Sequence, residues 1–353
     1  MSQRAWLTSL ASIAVLGAVG CTGPAKYPGG QSSVPTKLGP DGKPGIENAG
    51  LPMQVLDART GHQVDAAGFW TTLATERAVC VGEEHPNPHH HWVQLEVIKH
   101  LAAVPHLALG MEMFQRPFQG VLDDFAAGHI DAAALRSRAG WEDRWGYDWN
   151  LYGPTIAAVV AAKGTLIALN APKELTKKVV HHGLEALTPE EHAQVPELNL
   201  KDPAHRAWFD ALMEDMGGTA AHSSGPAPAA SPVASPHHTD GDGGEAAAPA
   251  MPSADAIYTV QVIWDETMAD TSAKWLAANP QGHLVILAGN GHCHDSAIVN
   301  RIKRRGIANV VSLRTVIDDG EGGVAEALAK PVNDFLVVLT LPASMREHAK
   351  PPQ

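Results

Sequence analysis

Cysteine is scarce in this sequence, with three residues in a chain of 353. That count excludes a disulfide-rich scaffold, which needs several bridges to replace a hydrophobic core. Cys21 ends a leader-like segment, so only Cys80 and Cys293 are left for the folded domain. We expect these two to be unbridged, although an oxidising compartment would permit one bond. No neighbouring pattern makes Cys293 a catalytic nucleophile.

Basic runs and long apolar runs are also missing. Lys and Arg total 26 against 38 Asp and Glu, which gives a formal net charge of −12 at pH 7. Nucleic-acid binding depends on clustered positive charge, so this balance argues against a nucleic-acid partner. No transmembrane helix follows the leader. The His-Glu-x-x-His helix of metalloproteases and the Gly-x-Ser-x-Gly elbow of serine hydrolases are absent as well.

Residues 1–20 have the features of a secretory signal peptide. Arg4 supplies the positive charge, and the apolar stretch 5–20 is too short to span a bilayer stably. The small residues Ala18-Val19-Gly20 before Cys21 are typical of a bacterial lipobox, in which the acylated cysteine becomes the first residue of the mature protein. The alternative is plain secretion with an incidental Cys21. Lipidation predicts an envelope protein attached to a membrane.

Two further segments have compositions typical of disorder. Residues 21–50, rich in Gly, Pro, Ser and Lys, predict a flexible tether. Residues 217–254, mostly Gly, Ala, Ser and Pro, predict a low-complexity insertion whose histidines are better explained as incidental than as metal ligands. The remainder, 51–341, is long enough for one large domain, and 342–353 form a tail.

Short apolar runs alternate with longer amphipathic ones along this domain. The alternation predicts an α/β fold with a mainly parallel sheet flanked by helices. The predicted strands are 78–83, 106–112, 165–170, 283–288, 308–313 and 334–340. The predicted helices are 90–104, 117–127, 131–139, 150–163, 172–184, 203–216, 256–278 and 294–305. Because the third and fourth strands are separated by more helices than one crossover needs, we also expect a smaller inserted helical subdomain, over about 115–163 and 172–278.

Polar side chains follow four of the predicted strands at the point where each strand ends. They are Glu83, Glu84 and His85 after the first, Glu112 after the second, Asn170 after the third, and Asn290, His292 and His294 after the fourth. Ligands of open parallel sheets bind beyond the carboxyl ends of the strands. The sequence therefore predicts a functional cleft at this edge.

Each member of this set has a structural alternative. Glu112 lies among apolar neighbours and must be paired or protonated, so a buried pair with a histidine or with Arg116 would explain it without catalysis. The glycines of the turn before His292 are explained by backbone geometry alone. His90 and His91 point in different directions on one helix, so at most one of them faces the cleft.

Two functions follow from the residues of the cleft alone. Imidazoles and carboxylates at Glu83, His85, Glu112 and His292 have the chemistry for hydrolysis, by general acid and base or with a divalent metal ion. The alternative is an envelope interaction protein in which the polar edge is a remnant.

A family resemblance adds a third function. The run Gly82-Glu83-Glu84-His85 with His90-His91, and then Gly110-Met111-Glu112-Met113-Phe114, resembles the ChaN family of bacterial haem-binding lipoproteins. The likeness continues in order over about residues 55–315, through Trp149 with Tyr152 and Pro154, Ala168–Pro172, Trp264–Ala269 and Ala288–His292. ChaN proteins share the Gly-Glu-x-His signature with Tiki, TraB and erythromycin esterase proteins. Pro86 departs from the family, which commonly has Asp there, and would weaken a metal site that relies on it.

The resemblance implies an outer-membrane lipoprotein that binds haem for iron acquisition, as a face-to-face pair at a homodimer interface, with an outer-membrane haem receptor as a further partner. It also implies a tyrosine ligand to the iron, and a phenolate suits ferric haem. Tyr152 matches the family pattern Trp-x-x-Tyr-x-Pro and is the predicted ligand, with packing as its alternative role. Tyr147 is the second candidate. Other predicted haem-contacting residues are His90, His91, Asn170 and Asn290, and Trp141, Trp145 and Trp149 are expected either to line the porphyrin or to form the subdomain core.

Overall fold

One sheet organises the described part of the chain, residues 45–215 and 252–346 of the computed structural model. Its strands are β1 (Met53–Asp57), β2 (Gln63–Val64), β3 (Ala78–Glu83), β4 (Leu107–Gln115), β5 (Thr165–Asn170), β6 (His283–Gly289), β7 (Val310–Asp318) and β8 (Phe335–Thr340). Their order is β2-β1-β8-β7-β3-β6-β4-β5. The strands from β8 to β5 pair in parallel, whereas β1 runs antiparallel to both β2 and β8. The predicted α/β class with a mainly parallel sheet is confirmed.

Helices connect the strands and cover both faces of the sheet. They are α1 (Ala66–Thr75), α2 (Pro88–Leu101), α3 (Gln119–Ala126), α4 (Ala132–Ala139), α5 (Trp141–Arg144), α6 (Trp149–Ala161), α7 (Lys173–His182), α8 (Pro189–His192), α9 (Pro203–Asp215), α10 (Ala254–Ala278), α11 (Asn300–Arg304), α12 (Gly323–Ala329) and α13 (Ala343–Arg346). A π-helical segment, Asp295–Val299, leads into α11. None of the described helices is long and apolar enough to cross a membrane.

The central strands are buried on both faces, as parallel strands between helical layers must be. Every residue of β3, β4 and β6 is buried. One core cluster packs alternate strand residues such as Val81 and Leu109 against α2 and α6, and another packs Cys80 and Ile286 against α10 and α11. A further cluster joins α7, α9 and α10 to one another. These layers fix the ends of β3, β4 and β6 relative to each other.

Local sequence explains where the helices nearest the site begin. Asn87 caps α2 by accepting a hydrogen bond from the His89 amide, and Pro88 occupies the first turn, where its missing N–H costs nothing. Asp148 caps α6 in the same way through the Asn150 amide. Ser253 caps α10, so the described chain is ordered from just before Ala254. The predicted insertion 217–254 otherwise lies outside the described residues, as do residues 1–44, and with them the predicted signal peptide and Cys21.

Two predictions of where a segment ends need correction. The tether does not reach residue 50, because Ile46 and Ala49 are buried against the domain. Strand β4 continues to Gln115, so Glu112 lies within the strand and not after it. Its regular pairing with β5 nevertheless stops at Met111, where the register shifts. This irregularity is typical of a bulge, which redirects the side chains near a strand end.

A disulfide bond joins Cys80 of β3 to Cys293, with the two Cα atoms 5.4 Å apart. The prediction that these cysteines are unbridged is therefore wrong. β3 and β6 are adjacent in the sheet, and Cys293 lies in the turn that follows β6. A separation of 213 residues along the chain hides this proximity. The bond covalently links the two segments that carry Glu83 and His292.

Candidate functional site

The polar residues predicted to converge do so at the carboxyl edge of four adjacent strands. Glu112 of β4 accepts a hydrogen bond from the Gly289 amide at the end of β6, at 2.7 Å. Its other carboxylate oxygen lies 3.4 Å from Nε2 of His292. The amide side chain of Asn170, at the end of β5, donates to the Glu112 carbonyl at 3.0 Å. The structure thus assembles one polar site from β3, β4, β5 and β6.

Glu83 is the most heavily bonded carboxylate of the site. Its Oε1 accepts from the Tyr152 hydroxyl at 2.8 Å and lies 2.7 Å from Nδ1 of His85. Its Oε2 accepts from the Gln94 amide at 2.7 Å and lies 3.5 Å from Nδ1 of His91. Burial would raise the pKa of Glu83, but His91 and His85 outweigh it and lower the pKa to about 2. Glu83 is therefore ionised and fixed at neutral pH.

His85 connects this carboxylate to the mouth of the site. Its side chain is 27% exposed, whereas that of Glu83 is fully buried. Its ring packs against the rings of Trp145 and Tyr147, with centroids 4.8 Å and 4.9 Å away. Burial opposes protonation of His85, but the bond to Glu83 outweighs it and raises the pKa. The His85 ring is thus held between the interior carboxylate and two aromatic rings nearer the surface.

His292 is bound by carboxylates at both ring nitrogens. Nδ1 lies 2.7 Å from Asp265 of α10, opposite the Glu112 contact at Nε2. Burial alone would lower the pKa of His292, but Glu112 and Asp265 together raise it to about 9. An imidazolium clamped in this way has no nitrogen left to act as a general base at neutral pH. His292 therefore ties α10 to β4.

Asp265 and His205 are site residues that the sequence did not identify. Asp265 is fully buried, and its second oxygen lies 3.0 Å from Nε2 of the equally buried His205. His292 and His205 lower the pKa of Asp265 against the effect of burial. A carboxylate on the buried face of a helix that also carries Val262 and Ile263 was the available signal. His205 gave none, because nothing in its own segment predicts contact with α10.

The raised pKa of His292 predicts a loss of stability in alkaline solution. An unfolded histidine titrates near 6.5, so below that pH the stabilisation is fully present, and it is lost as the pH rises through about 9. We expect the free energy of unfolding to fall by about 2 kcal/mol over this window. This is less than the whole pKa shift of His292 would give, because part of the interaction energy belongs to Asp265. Urea unfolding at about pH 6, 8 and 10 measures it. His292→Gln should be less stable at the lowest pH and lack this decline. An equal decline in the variant would show that other groups cause it.

His90 and His91 hold the loop after β3. The Glu84 amide donates to Nδ1 of His90 at 2.9 Å, and burial lowers the pKa of His90 to about 3. His91 lies 2.8 Å from the His85 carbonyl through Nε2. Of this pair only His91 faces Glu83, which agrees with the expected divergence of the two side chains. The backbone amide of Asn290, another predicted contact residue, donates to the Glu83 carbonyl at 2.8 Å.

A comparison with known protein families identifies the family of this chain. Residues 69–302, about two thirds of the chain, match the family model described as "Haem-binding uptake, Tiki superfamily, ChaN". The chain belongs to the ChaN family. The resemblance based on the Gly-Glu-x-His run is therefore confirmed.

A solved structure of a ChaN protein shares the fold. The structure of cofacial haem binding to ChaN of Campylobacter jejuni matches 81% of this chain and 96% of its own, at a TM-score of 0.58 and 14% identity. An erythromycin esterase in its open conformation matches 82% of this chain and 83% of its own, at a TM-score of 0.38 and 12% identity. No curated protein matches the chain.

Tyr152 fits poorly the role of iron ligand that the ChaN pattern suggested. It is 2% exposed, and its hydroxyl donates to Glu83. Its ring packs against Trp141 and His91 at centroid distances of 5.2 Å and 4.5 Å. Burial and the Glu83 charge raise its pKa well above 10. Ionising this phenol would leave two anions in contact in the interior, so packing and orientation of Glu83 are its evident role.

Tyr147 occupies the more accessible position. It is half-buried, and its ring lies 5.4 Å from that of Trp145. Trp141 is buried and donates from its indole nitrogen to the Tyr147 carbonyl at 2.8 Å, which fixes the backbone of this loop. Trp141 thus belongs to the core, whereas Trp145, Tyr147 and Trp149 are only partly covered.

The divalent-metal alternative finds no support in the site. Within residues 45–215 and 252–346, no three His, Cys, Asp or Glu side chains are arranged to hold a metal ion. Glu83 and Glu112 are instead committed to histidines, a tyrosine and backbone amides. A metal-dependent hydrolase is not favoured by this arrangement.

Proposed function

We propose that this protein binds haem at the outer side of the cleft, with Tyr147 as the ligand of the ferric iron. The observation that carries the proposal is the half-buried Tyr147 ring, which contacts the rings of Trp145 and His85. These three rings form what we call the mouth of the site. Membership of the haem-binding ChaN family supports haem as the ligand. The proposal moves the iron ligand from Tyr152, the first candidate from sequence, to Tyr147.

The residues at the mouth suit this ligand in type and in placement. A phenolate is a hard anionic donor that stabilises ferric haem, and partly covered indole rings provide an apolar surface for the porphyrin. When bound, haem supplies a Lewis-acidic iron that favours the ionised phenol. The backbone of Tyr147 is held by Trp141, so the donor is oriented before the ligand arrives.

The buried network has a supporting role in this proposal. Glu83 is fixed by Gln94 and Tyr152, and it holds His85 by Nδ1. His85 in turn packs against both Trp145 and Tyr147. The chain of contacts therefore positions the aromatic mouth from within. The same network explains the carboxylates and imidazoles without a hydrolytic reaction.

We further propose that two copies bind two haem groups face to face, in keeping with the cofacial haem binding of ChaN from Campylobacter jejuni. Titration of protein lacking residues 1–21 with haemin should give a saturable Soret shift at one haem per chain. Sedimentation velocity should show a monomer without haemin and a dimer with it. Absence of a saturable shift would refute haem binding, and a shift in a persistent monomer would refute only the dimer.

For the whole protein, we propose a lipid-anchored envelope component that captures haem for iron acquisition and delivers it to an outer-membrane receptor. The Cys80–Cys293 bond supports an oxidising compartment, because such bonds rarely persist in the cytosol. Cys21→Ser should move the protein from the membrane fraction to the soluble periplasmic fraction, as measured by immunoblotting. The matched control is Ser9→Ala, which lies within the leader and should leave fractionation unchanged. Retention of the Cys21 variant in membranes would place the anchor elsewhere.

A further inference from the structure

A cation beside the aromatic mouth is paired with an exposed carboxylate. Arg144, the last residue of α5, contacts Glu174 through Nη2 to Oε1 at 2.7 Å and Nη1 to Oε2 at 3.3 Å. The Arg144 side chain is 25% exposed, whereas that of Glu174 is 69% exposed. This two-point geometry is the one in which a guanidinium recognises a carboxylate. The carboxylate now present is largely in solvent.

The protein holds Arg144 independently of Glu174. Nη1 also donates to Gln115 at 2.7 Å, and the guanidinium carbon lies 4.8 Å from the centre of the Phe118 ring. These contacts come from the end of β4 and the turn after it, and they would keep the guanidinium in place if Glu174 moved away. An exposed ion pair of this kind contributes little to stability, so its exchange for another carboxylate costs little.

The positions of Arg144 and Tyr147 suit a ligand that has a metal ion at its centre and carboxylates at its edge. Arg144 directly precedes Trp145 in the chain and reaches the end of β4, whereas Tyr147 packs on His85 beyond the end of β3. One strand, β6, lies between β3 and β4, so the ends of β3 and β4 are two strand spacings apart, about 10 Å. That span is comparable to the distance from the centre of a porphyrin to its carboxylates.

A second cation lies beside the first. The ammonium group of Lys173 donates to the Asp143 carbonyl at 2.8 Å, one residue before Arg144. The main-chain amide of Lys173 donates to Gln115, the same side chain that holds Arg144. Lys173 also begins α7, and the start of a helix favours a nearby anion.

We propose that Arg144 and Lys173 bind the carboxylates of the tetrapyrrole and that the ligand displaces Glu174 from Arg144. This inference rests on the proposed haem-binding function. It assigns the orientation of the ligand, with the carboxylates directed toward the ends of β4 and β5 and the iron toward Tyr147. It also assigns specificity, because a porphyrin without free carboxylates would lose these contacts.

The test compares haemin with haemin dimethyl ester, whose carboxylates are blocked, by titration in the same buffer. The wild-type protein should bind haemin about tenfold more tightly than the ester. Arg144→Gln should lose about tenfold in affinity for haemin and show no change with the ester. Glu174→Gln should bind haemin about two- to fivefold more tightly, since the competing carboxylate is gone. Arg138→Gln removes a comparable exposed pair with Asp124 and should change neither affinity.

Equal affinity of the wild-type protein for the two ligands would overturn the inference, as would an Arg144→Gln variant that weakens both ligands alike. In either case a Tyr147-dependent Soret shift would leave the haem-binding proposal standing. Absence of haemin binding by the wild-type protein would overturn both. If Arg144→Gln fails to fold, as judged by near-ultraviolet circular dichroism, the ester comparison and Glu174→Gln still decide the question.

Discussion

Replacing Tyr147 with phenylalanine is expected to abolish the saturable Soret shift that haemin produces with the wild-type protein, whereas Tyr152→Phe is expected to keep it. The two tyrosines lie in the same aromatic cluster, but Tyr152 is buried whereas Tyr147 is only half-buried. Removing the anionic donor leaves the ferric iron without its proposed protein ligand, so haemin affinity should fall by about a hundredfold or more. The measurement is a haemin titration followed by absorbance, with the position of the charge-transfer band as a second sign of phenolate ligation.

Tyr152→Phe is the matched control because the chemical change is identical. It removes a hydrogen bond to the buried Glu83, so we expect it to lower the free energy of unfolding by about 1–3 kcal/mol while leaving the haemin spectrum unchanged. The opposite pattern, with binding lost in Tyr152→Phe and kept in Tyr147→Phe, would restore the ligand first suggested by the family motif. Loss in neither variant would exclude a tyrosine ligand at this site.

Removal of the Cys80–Cys293 bond is expected to have the largest effect on stability. Replacing both cysteines with alanine should lower the free energy of unfolding by about 4 kcal/mol, because the bond closes a very long loop in the unfolded chain. The parallel pairing of β3 with β6 extends over six residue pairs and should survive in the folded variant. Urea unfolding of the oxidised wild-type protein and of the double variant, under the same conditions, gives the difference.

Reductant provides the control for this experiment. Dithiothreitol should destabilise the wild-type protein once the buried bond is opened by unfolding, and it should have no effect on the double alanine variant. Both cysteines are fully or almost fully buried, so reduction of the folded protein should be slow. Equal stability of oxidised and reduced wild-type protein would show that the bond does not constrain the unfolded chain as proposed.

Most of the sheet was predictable from the sequence because its central strands are buried on both faces. The run Ala78–Val81 and the corresponding runs in β4, β5 and β6 are continuous apolar segments, which stand out against amphipathic helices. β1 and β2 were missed because they are short strands with mixed exposure and no such run. The antiparallel pairing of β1 also depends on β8, which is almost three hundred residues later in the chain.

The candidate site was predictable only where a polar residue followed an apolar run. Glu83, His85, Glu112 and His292 met that condition, and the sheet order brings them together. Asp265 lies within a helix and His205 in a different segment, so their contacts depend on how α9 and α10 pack. The choice between Tyr147 and Tyr152 also depends on packing, since burial of one ring and partial exposure of the other cannot be inferred from their spacing.

The antiparallel pairing of β1 with β8 also determines where the polypeptide enters the domain. Met53, at the start of β1, pairs with Leu339 near the carboxyl end of β8, and β8 runs parallel to β3, β4 and β6. The polypeptide therefore enters the domain at the same edge of the sheet as the cleft, and Ala49 reaches His89 at the start of α2 there. If Cys21 carries the acyl group proposed above, the segment that follows it joins the domain on the side that carries the cleft.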